Sequence, residues 1–232
     1  MSAHGNNIWR VGIDDAPPVP MQIGTPDSSN FRGYEVDLLQ EVARRLDVII
    51  QYRRAFWSVI VAELSSGSLD LVSSAATVTA ERAQQVHFCR PHLKLALGLV
   101  TRQASGGELD LSAARVGVRR GTTAEAFLRS RGGKEPAMLS ESNEELYCAL
   151  ADGKLDGVID DSPIALHFSR AIPGLKYACS FDGTEGEYAL MIRRGNTQLR
   201  ERINATLADL EADDTLSRLR RLWFGSENFF VG

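Results

Sequence analysis

The sequence predicts an α/β protein in which parallel sheets are covered by helices. Three observations predict it. Short apolar runs bounded by turn residues recur along the chain, amphipathic segments of helical period lie between them, and helix-start signals mark where one gives way to the other. With 232 residues the chain is long enough for one large domain or two modest ones.

The apolar runs read as strands over Trp9–Ile13, Val48–Tyr52, Leu69–Ser73, Leu95–Thr101, Arg115–Arg119, Asp156–Asp160 and Tyr188–Arg193. Glu35–Leu46 sets Val36, Leu39, Val42, Ala43 and Leu46 on one helical face, and Thr197–Leu210 does the same with Leu199, Ile203, Leu207 and Leu210. Parallel neighbours need a long crossover, so this alternation places helices over the sheets. Thr122-Thr123-Ala124-Glu125 and Ser142-Asn143-Glu144-Glu145 each fit a capping box, with Glu three residues after the cap. Two short stretches, Leu93–Ala96 and Gly183–Tyr188, read as crossings between domains. Residues 97–187 then form a continuous domain inserted into one built from 1–96 and 188–232.

Composition narrows the function. The hydrophobic fraction is 44%, the charged fraction 24% and the net charge −4, which together describe an ordinary globular protein. The longest basic clusters are pairs such as Arg44-Arg45 and Arg119-Arg120, too little positive charge for a nucleic-acid partner. No run approaches the ~18 apolar residues of a membrane span, and the first 30 residues lack the apolar core of a signal peptide. The residues thus leave a cytoplasmic protein, or one whose leader has been removed. Cys89, Cys148 and Cys179 show no metal-ligand spacing; either one pair forms a disulfide or all three are buried thiols.

Ligands of open parallel sheets bind beyond the carboxyl ends of the strands. Four segments fall there: Asp14–Pro18, Ser73–Thr79, Arg119–Thr123 and Asp160–Pro163. Small residues at Ser73–Ala76 let a ligand approach the backbone. Thr79 can cap a short helix that carries Arg82, turning a guanidinium toward an anion. Arg82 can hold a carboxylate through two parallel hydrogen bonds, which Lys cannot reproduce. Asp161 can accept from an ammonium. Each has a plainer reading: a lone Arg is a surface charge, an Asp before Ser-Pro a helix cap, a small-residue run a tight turn. Their common position at strand ends favours the functional one.

Five motifs carry a family resemblance. Gly33-Tyr34-Glu35-Val36-Asp37-Leu38 opens a helix, and Leu64–Leu71 contains Gly67, Asp70 and Leu71. Thr77-Val78-Thr79-Ala80-Glu81-Arg82-Ala83 is followed by Val86-His87-Phe88, and Val116-Gly117-Val118 by Gly121-Thr122-Thr123. The tail runs from Asp213-Asp214-Thr215-Leu216 to Trp223-Phe224-Gly225. From about Trp9 to Gly225, the chain resembles the amino-acid-binding members (family 3) of the bacterial periplasmic solute-binding proteins of ABC transporters.

The resemblance implies a type II periplasmic-binding-protein fold: two lobes, each with a central mostly parallel sheet flanked by helices, joined by a two-strand hinge. It implies a periplasmic, monomeric protein that closes on a free amino acid and delivers it to an ABC permease, with no catalytic residue, metal or cofactor. Arg82 aligns with the arginine that binds the ligand carboxylate, aided by the amides of Thr77 and Thr123. Asp161 aligns with the acid for the ammonium, aided by the Ala75 carbonyl and the Thr77 hydroxyl. Trp57 aligns with an aromatic wall. The chain departs from the pattern at Pro17-Pro18-Val19-Pro20-Met21, where the family places an aromatic residue, and at His87-Phe88-Cys89-Arg90-Pro91-His92. Arg119 and Asp14 align where they can face the ligand side chain, so a polar ligand such as glutamine or glutamate is expected. Two other functions stay open. One is a cyclohexadienyl-dehydratase-like enzyme drawing on His87, His92, Asp14 and Asp15 for acid–base chemistry. The other is a sensing domain of a receptor, with Ser226–Gly232 as a loose tail.

Overall fold

Two separate five-stranded sheets organise the chain. A computed structural model describes residues 8–105, 108–131 and 135–225, so the Ser226–Gly232 tail lies outside the described residues. Among these, 8–93 with 187–225 form one compact unit and 94–186 a second.

Unit 1 begins with β1 (Ile8–Asp14), α1 (Tyr34–Leu46), β2 (Ile49–Ala55), α2 (Trp57–Ser66), β3 (Leu71–Val72), α3 (Ala80–Ala83) and β4 (Val86–Phe88). The chain passes through β5 (Leu93–Leu95) into β6 (Leu97–Arg102), β7 (Val116–Arg119), α4 (Thr123–Ser130), β8 (Met138–Ser140), α5 (Asn143–Ala151), β9 (Gly157–Asp161), α6 (Ser162–Ala171) and β10 (Leu175–Ser180). It returns through β11 (Gly186–Tyr188), which pairs with β5, to β12 (Met191–Arg193), α7 (Thr197–Ala212) and α8 (Thr215–Phe224).

The sheet of unit 1 has the order β2-β1-β3-β12-β4, and that of unit 2 β10-β6-β9-β7-β8. Each contains a single reversed strand, β12 in the first and β6 in the second. The reversed strand is the one that follows the incoming chain. Residues entering unit 1 bond to the turn beyond β3: Val78 N–H donates to Glu187 O at 2.9 Å and Ala189 N–H to Ala76 O at 3.1 Å. Residues entering unit 2 bond to the end of β9, where Ser162 N–H donates to Ala96 O at 2.8 Å. A chain arriving at the carboxyl edge of a sheet can only run back against its neighbours.

These bonds explain where the expected strands differ from the observed ones. The run Leu95–Thr101 is interrupted at Ala96, whose N–H donates to Ser162 Oγ at 3.2 Å rather than to a sheet neighbour. The run Tyr188–Arg193 is interrupted at Ala189-Leu190, held by Ala76 and by Cys89 N–H. The expected faces of α1 and α7 point inward: Val36, Leu39, Val42 and Ala43, and Leu199, Ile203, Leu207 and Leu210, are all buried, while Leu46 is half-buried. Unit 1 packs Ile60 and Leu64 of α2 on Val72 and Met191; unit 2 packs Ala124 and Leu128 of α4 on Val116, Val118 and Ile159. Fully burying one such side chain stabilises by roughly 1.5–3 kcal/mol. All three cysteines are free thiols, Cys89 buried and Cys148 and Cys179 exposed.

Candidate functional site

Unit 1 gathers its candidates beyond β1 and β3. Thr79 caps α3 as its sequence position suggests, its side chain accepting from Arg82 N–H at 3.2 Å. That turn brings the Arg82 guanidinium back over the strand end, where Nη1 donates to Thr77 O at 2.8 Å. Arg82 Cζ lies 4.7 Å from the ring centroid of Trp57, the first residue of α2. Trp57 is itself 6% exposed, so the ring is a fixed plate. A guanidinium held by a carbonyl and by a ring face has lost part of its side-chain freedom and keeps N–H donors with which it can hold an anion. Thr77 is buried next to it.

Asp14 ends β1 with no exposed surface; its Oδ1 accepts from Ala16 N–H at 3.0 Å. Asp15 pairs with Arg54 at 2.5 Å. Ala75 has a φ of 50°, a left-handed backbone in a residue with a Cβ. Its N–H donates to Glu35 Oε2 at 2.9 Å, and Ser73 Oγ donates to the same oxygen at 3.1 Å. The other carboxylate oxygen of Glu35 lies 3.3 Å from His92 Nε2.

Unit 2 gathers Arg119, Thr123 and Asp161. Thr122 caps α4, its side chain accepting from Glu125 N–H. The return arm of this expected box reaches one residue further than the motif implies, because Glu125 Oε2 accepts from Gly121 N–H at 2.7 Å. In the second expected box Ser142 caps α5, but Glu145 accepts from Ser140 Oγ at 2.5 Å. Thr123 opens α4 and its Oγ1 donates to Asp161 Oδ1 at 3.4 Å. Asp161 holds the cap position of α6, with Pro163 in the first turn, yet its side chain makes no cap hydrogen bond. Arg119 is 5% exposed and Nε donates to Glu141 O at 2.8 Å.

The neighbour of Asp161 has its own environment. Alternation along β9 turns the Asp160 carboxylate to the opposite face of the strand, into the core beneath α5. There Oδ2 accepts from Asn143 Nδ2 at 2.5 Å and Tyr147 Oη at 3.3 Å, and Oδ1 from Asp161 N–H at 2.9 Å. Burial, and then the charge of Asp161, push its carboxyl up to about 7.

Residues 9–226 match the family of bacterial extracellular solute-binding proteins, family 3. The chain belongs to that family. This solute-binding protein is 25% identical over 222 residues to the L-cystine-binding protein TcyJ of Escherichia coli strain K12, a match covering 94% of this chain and 82% of that protein. It is 22% identical to a probable histidine-binding protein of Neisseria gonorrhoeae, across 97% of this chain and 86% of that one. Among solved structures it resembles an ancestral arginine-binding protein bound to glutamine, at 27% identity and a TM-score of 0.86, covering 96% of this chain and all of the other. An arginine-binding protein from T. maritima superposes with a TM-score of 0.85 at 25% identity, covering 95% and 96% of the two chains. The fold of this solute-binding protein is therefore the type II periplasmic-binding-protein fold, with a mostly parallel sheet in each unit.

Glu35 is a polar centre that sequence reasoning did not select, and Asp160 was selected only within the strand-end segment Asp160–Pro163, not as a buried centre of its own. Glu35 stood in a helix-opening motif, where an acid is explained by the helix dipole alone. Asp160 carried a usable signal: two adjacent acids at a strand end face opposite ways, so one of them must enter the core.

Proposed function

We propose that this solute-binding protein binds a free α-amino acid and delivers it to an ABC permease outside the cytoplasm. The ligand carboxylate goes to Arg82, with the amides of Thr77 and Thr123. The ammonium goes to Asp161, with the Ala75 carbonyl and the Thr77 hydroxyl, and Trp57 supplies an apolar wall. In this reading 1–96 with 188–232 and 97–187 are two lobes, and the ligand drives hinge closure because its two charges engage both. The observation that carries the reading is the Arg82 guanidinium, held on the Thr77 carbonyl and the Trp57 ring at a strand end. A guanidinium set in that way is built for a planar anion.

Family membership supports the general function, and relatives named for cystine, arginine and histidine support a polar side chain. We assign glutamine or glutamate as the preferred class, with Arg119 and Asp14 facing the side chain. The dehydratase alternative draws less support. His92 has no exposed surface and stands against Glu35, and Asp15 is engaged by Arg54.

The test is a thermal-shift screen of the common amino acids with cystine, followed by calorimetry, since a ligand of the native state raises the melting temperature. A polar amino acid should do so. Arg82→Ala and Asp161→Asn should each weaken binding by about 2–5 kcal/mol, because each leaves a buried ligand charge unpaired. Retained affinity in both variants overturns the site. A response confined to aliphatic amino acids overturns the ligand class, and turnover of prephenate or arogenate overturns the non-catalytic reading.

A further inference from the structure

We propose that Glu35, backed by His92, is a positioning residue for the ligand: its carboxylate holds Ala75 in the left-handed conformation that aims the Ser73–Thr77 turn at the bound amino acid. The proposal rests on the amino-acid-binding reading given above and adds a residue to its machinery.

Ala75 stands in the left-handed region of backbone space. A φ of 50° is unfavourable for an L residue, because Cβ crowds the following carbonyl. Glycine would adopt it without that penalty, so something must hold an alanine there. The Glu35 carboxylate does so with two bonds to one oxygen, from Ala75 N–H at 2.9 Å and Ser73 Oγ at 3.1 Å. Ser73 and Ala75 are thereby clipped together across the bend, and the chain leaving Ala75 is turned toward Thr77. A hydrogen bond to an ionised acceptor is roughly twice as strong as a neutral one.

Glu35 is in turn fixed. It is 2% exposed and stands in the first turn of α1. That turn is anchored by Tyr34 N–H to Pro20 O and Glu35 N–H to Met21 O, each 3.1 Å. Behind the carboxylate stands His92, whose Nε2 is 3.3 Å from Glu35 Oε1 and which has no exposed surface. The His92 backbone is pinned by its N–H to Tyr188 O at 2.9 Å and by its carbonyl, which accepts from Tyr34 Oη at 2.7 Å and Arg220 Nε at 3.0 Å. One oxygen of the carboxylate is thus bonded to the turn, while Oε1 makes no direct hydrogen bond and stands 3.3 Å from His92 Nε2. For a carboxylate this buried, the two bonds from the turn are the ones that offset its desolvation, with the His92 ring beside the remaining oxygen.

The test compares wild type, Glu35→Ala, Glu35→Gln and Glu35→Ala/Ala75→Gly in two measurements. The first is the 13C shifts of residue 75 in the ligand-free protein, which report backbone conformation. The second is calorimetric affinity for L-glutamine, L-arginine, L-histidine and L-cystine. Glu35→Ala should lose the left-handed shifts and bind about ten- to a hundredfold more weakly, the scale of one lost charge-assisted hydrogen bond. Glu35→Gln keeps an acceptor at nearly the same volume and should lose less; it carries the comparison if Glu35→Ala does not fold. The double variant should regain most of the lost affinity, because glycine takes positive φ unaided. A merely structural role would not produce that rescue. Left-handed shifts that persist in Glu35→Ala overturn the proposal, as does undiminished affinity in Glu35→Ala or a double variant no better than the single. If wild type binds none of the four probes, the functional reading fails and the proposal falls with it. If wild type binds and Glu35→Ala binds equally, the proposal alone falls.

Discussion

Replacing Asp160 by Asn should make the protein more stable at pH 8 than wild type, with a difference that shrinks as the pH falls to 5. The carboxyl of Asp160 is held up at about 7 by burial and by the charge of Asp161. In the unfolded chain it ionises at about 3.9. A raised acid favours the folded state in its protonated form. Its contribution is therefore fully present below the unfolded value, is lost progressively as pH rises through the folded value, and is flat above that. The gap between the two values corresponds to on the order of 4 kcal/mol, of which about 3 kcal/mol falls between pH 5 and 8. The neighbours accommodate an amide. Asn143 Nδ2 and Tyr147 Oη already surround Oδ2, and Asn143 Oδ1 makes no other hydrogen bond, so a flipped Asn143 can accept from the new NH2. For a chain of this size, thermal unfolding should show the gap in melting temperature widening by about 5–10 °C between pH 5 and 8. Parallel pH profiles for the two proteins would refute the reasoning, because Asp160 would then titrate elsewhere.

Two further outcomes are expected. Gly33→Ala should cost on the order of 3 kcal/mol, because a Cβ at φ 150° would run into the Met21 carbonyl; chemical denaturation measures it, and a loss within experimental error would show that this backbone gives way. Cys89, buried and pushed up to about 12, should be silent toward a thiol reagent at pH 8, while exposed Cys148 and Cys179 react. A third thiol released only on unfolding is the expected count, and three fast thiols would contradict the burial of Cys89.

Much of the fold was legible because it depends on local periodicity. The stripes of α1 and α7 and the caps at Thr79, Thr122 and Ser142 are set by residues within a turn or two of each other. The breaks at Ala96 and Ala189 were not legible, since their causes, Ser162 and Ala76, are far away in sequence. The candidate site divides in the same way. Arg82 could be placed near Thr77 from a cap and a four-residue helix, but its ring partner Trp57 came only from family resemblance. Glu35 was invisible as a polar centre because its partners, Ser73, Ala75 and His92, lie 38 to 57 residues away, and its own position had a sufficient local explanation.

The reversed strands β6 and β12 also bear on how such a protein can change. Because the chain enters each sheet at the edge carrying the candidate residues, a cut at 93/94 and another at 186/187 divide those residues without scattering them. Arg119, Thr123 and Asp161 travel with 94–186; Asp14, Trp57, Ala75, Thr77 and Arg82 stay with the remainder. Recombination at two points could therefore exchange Arg119, Thr123 and Asp161 as one inherited block, with the hydrogen bonds of Ala96 to Ser162 carried along intact.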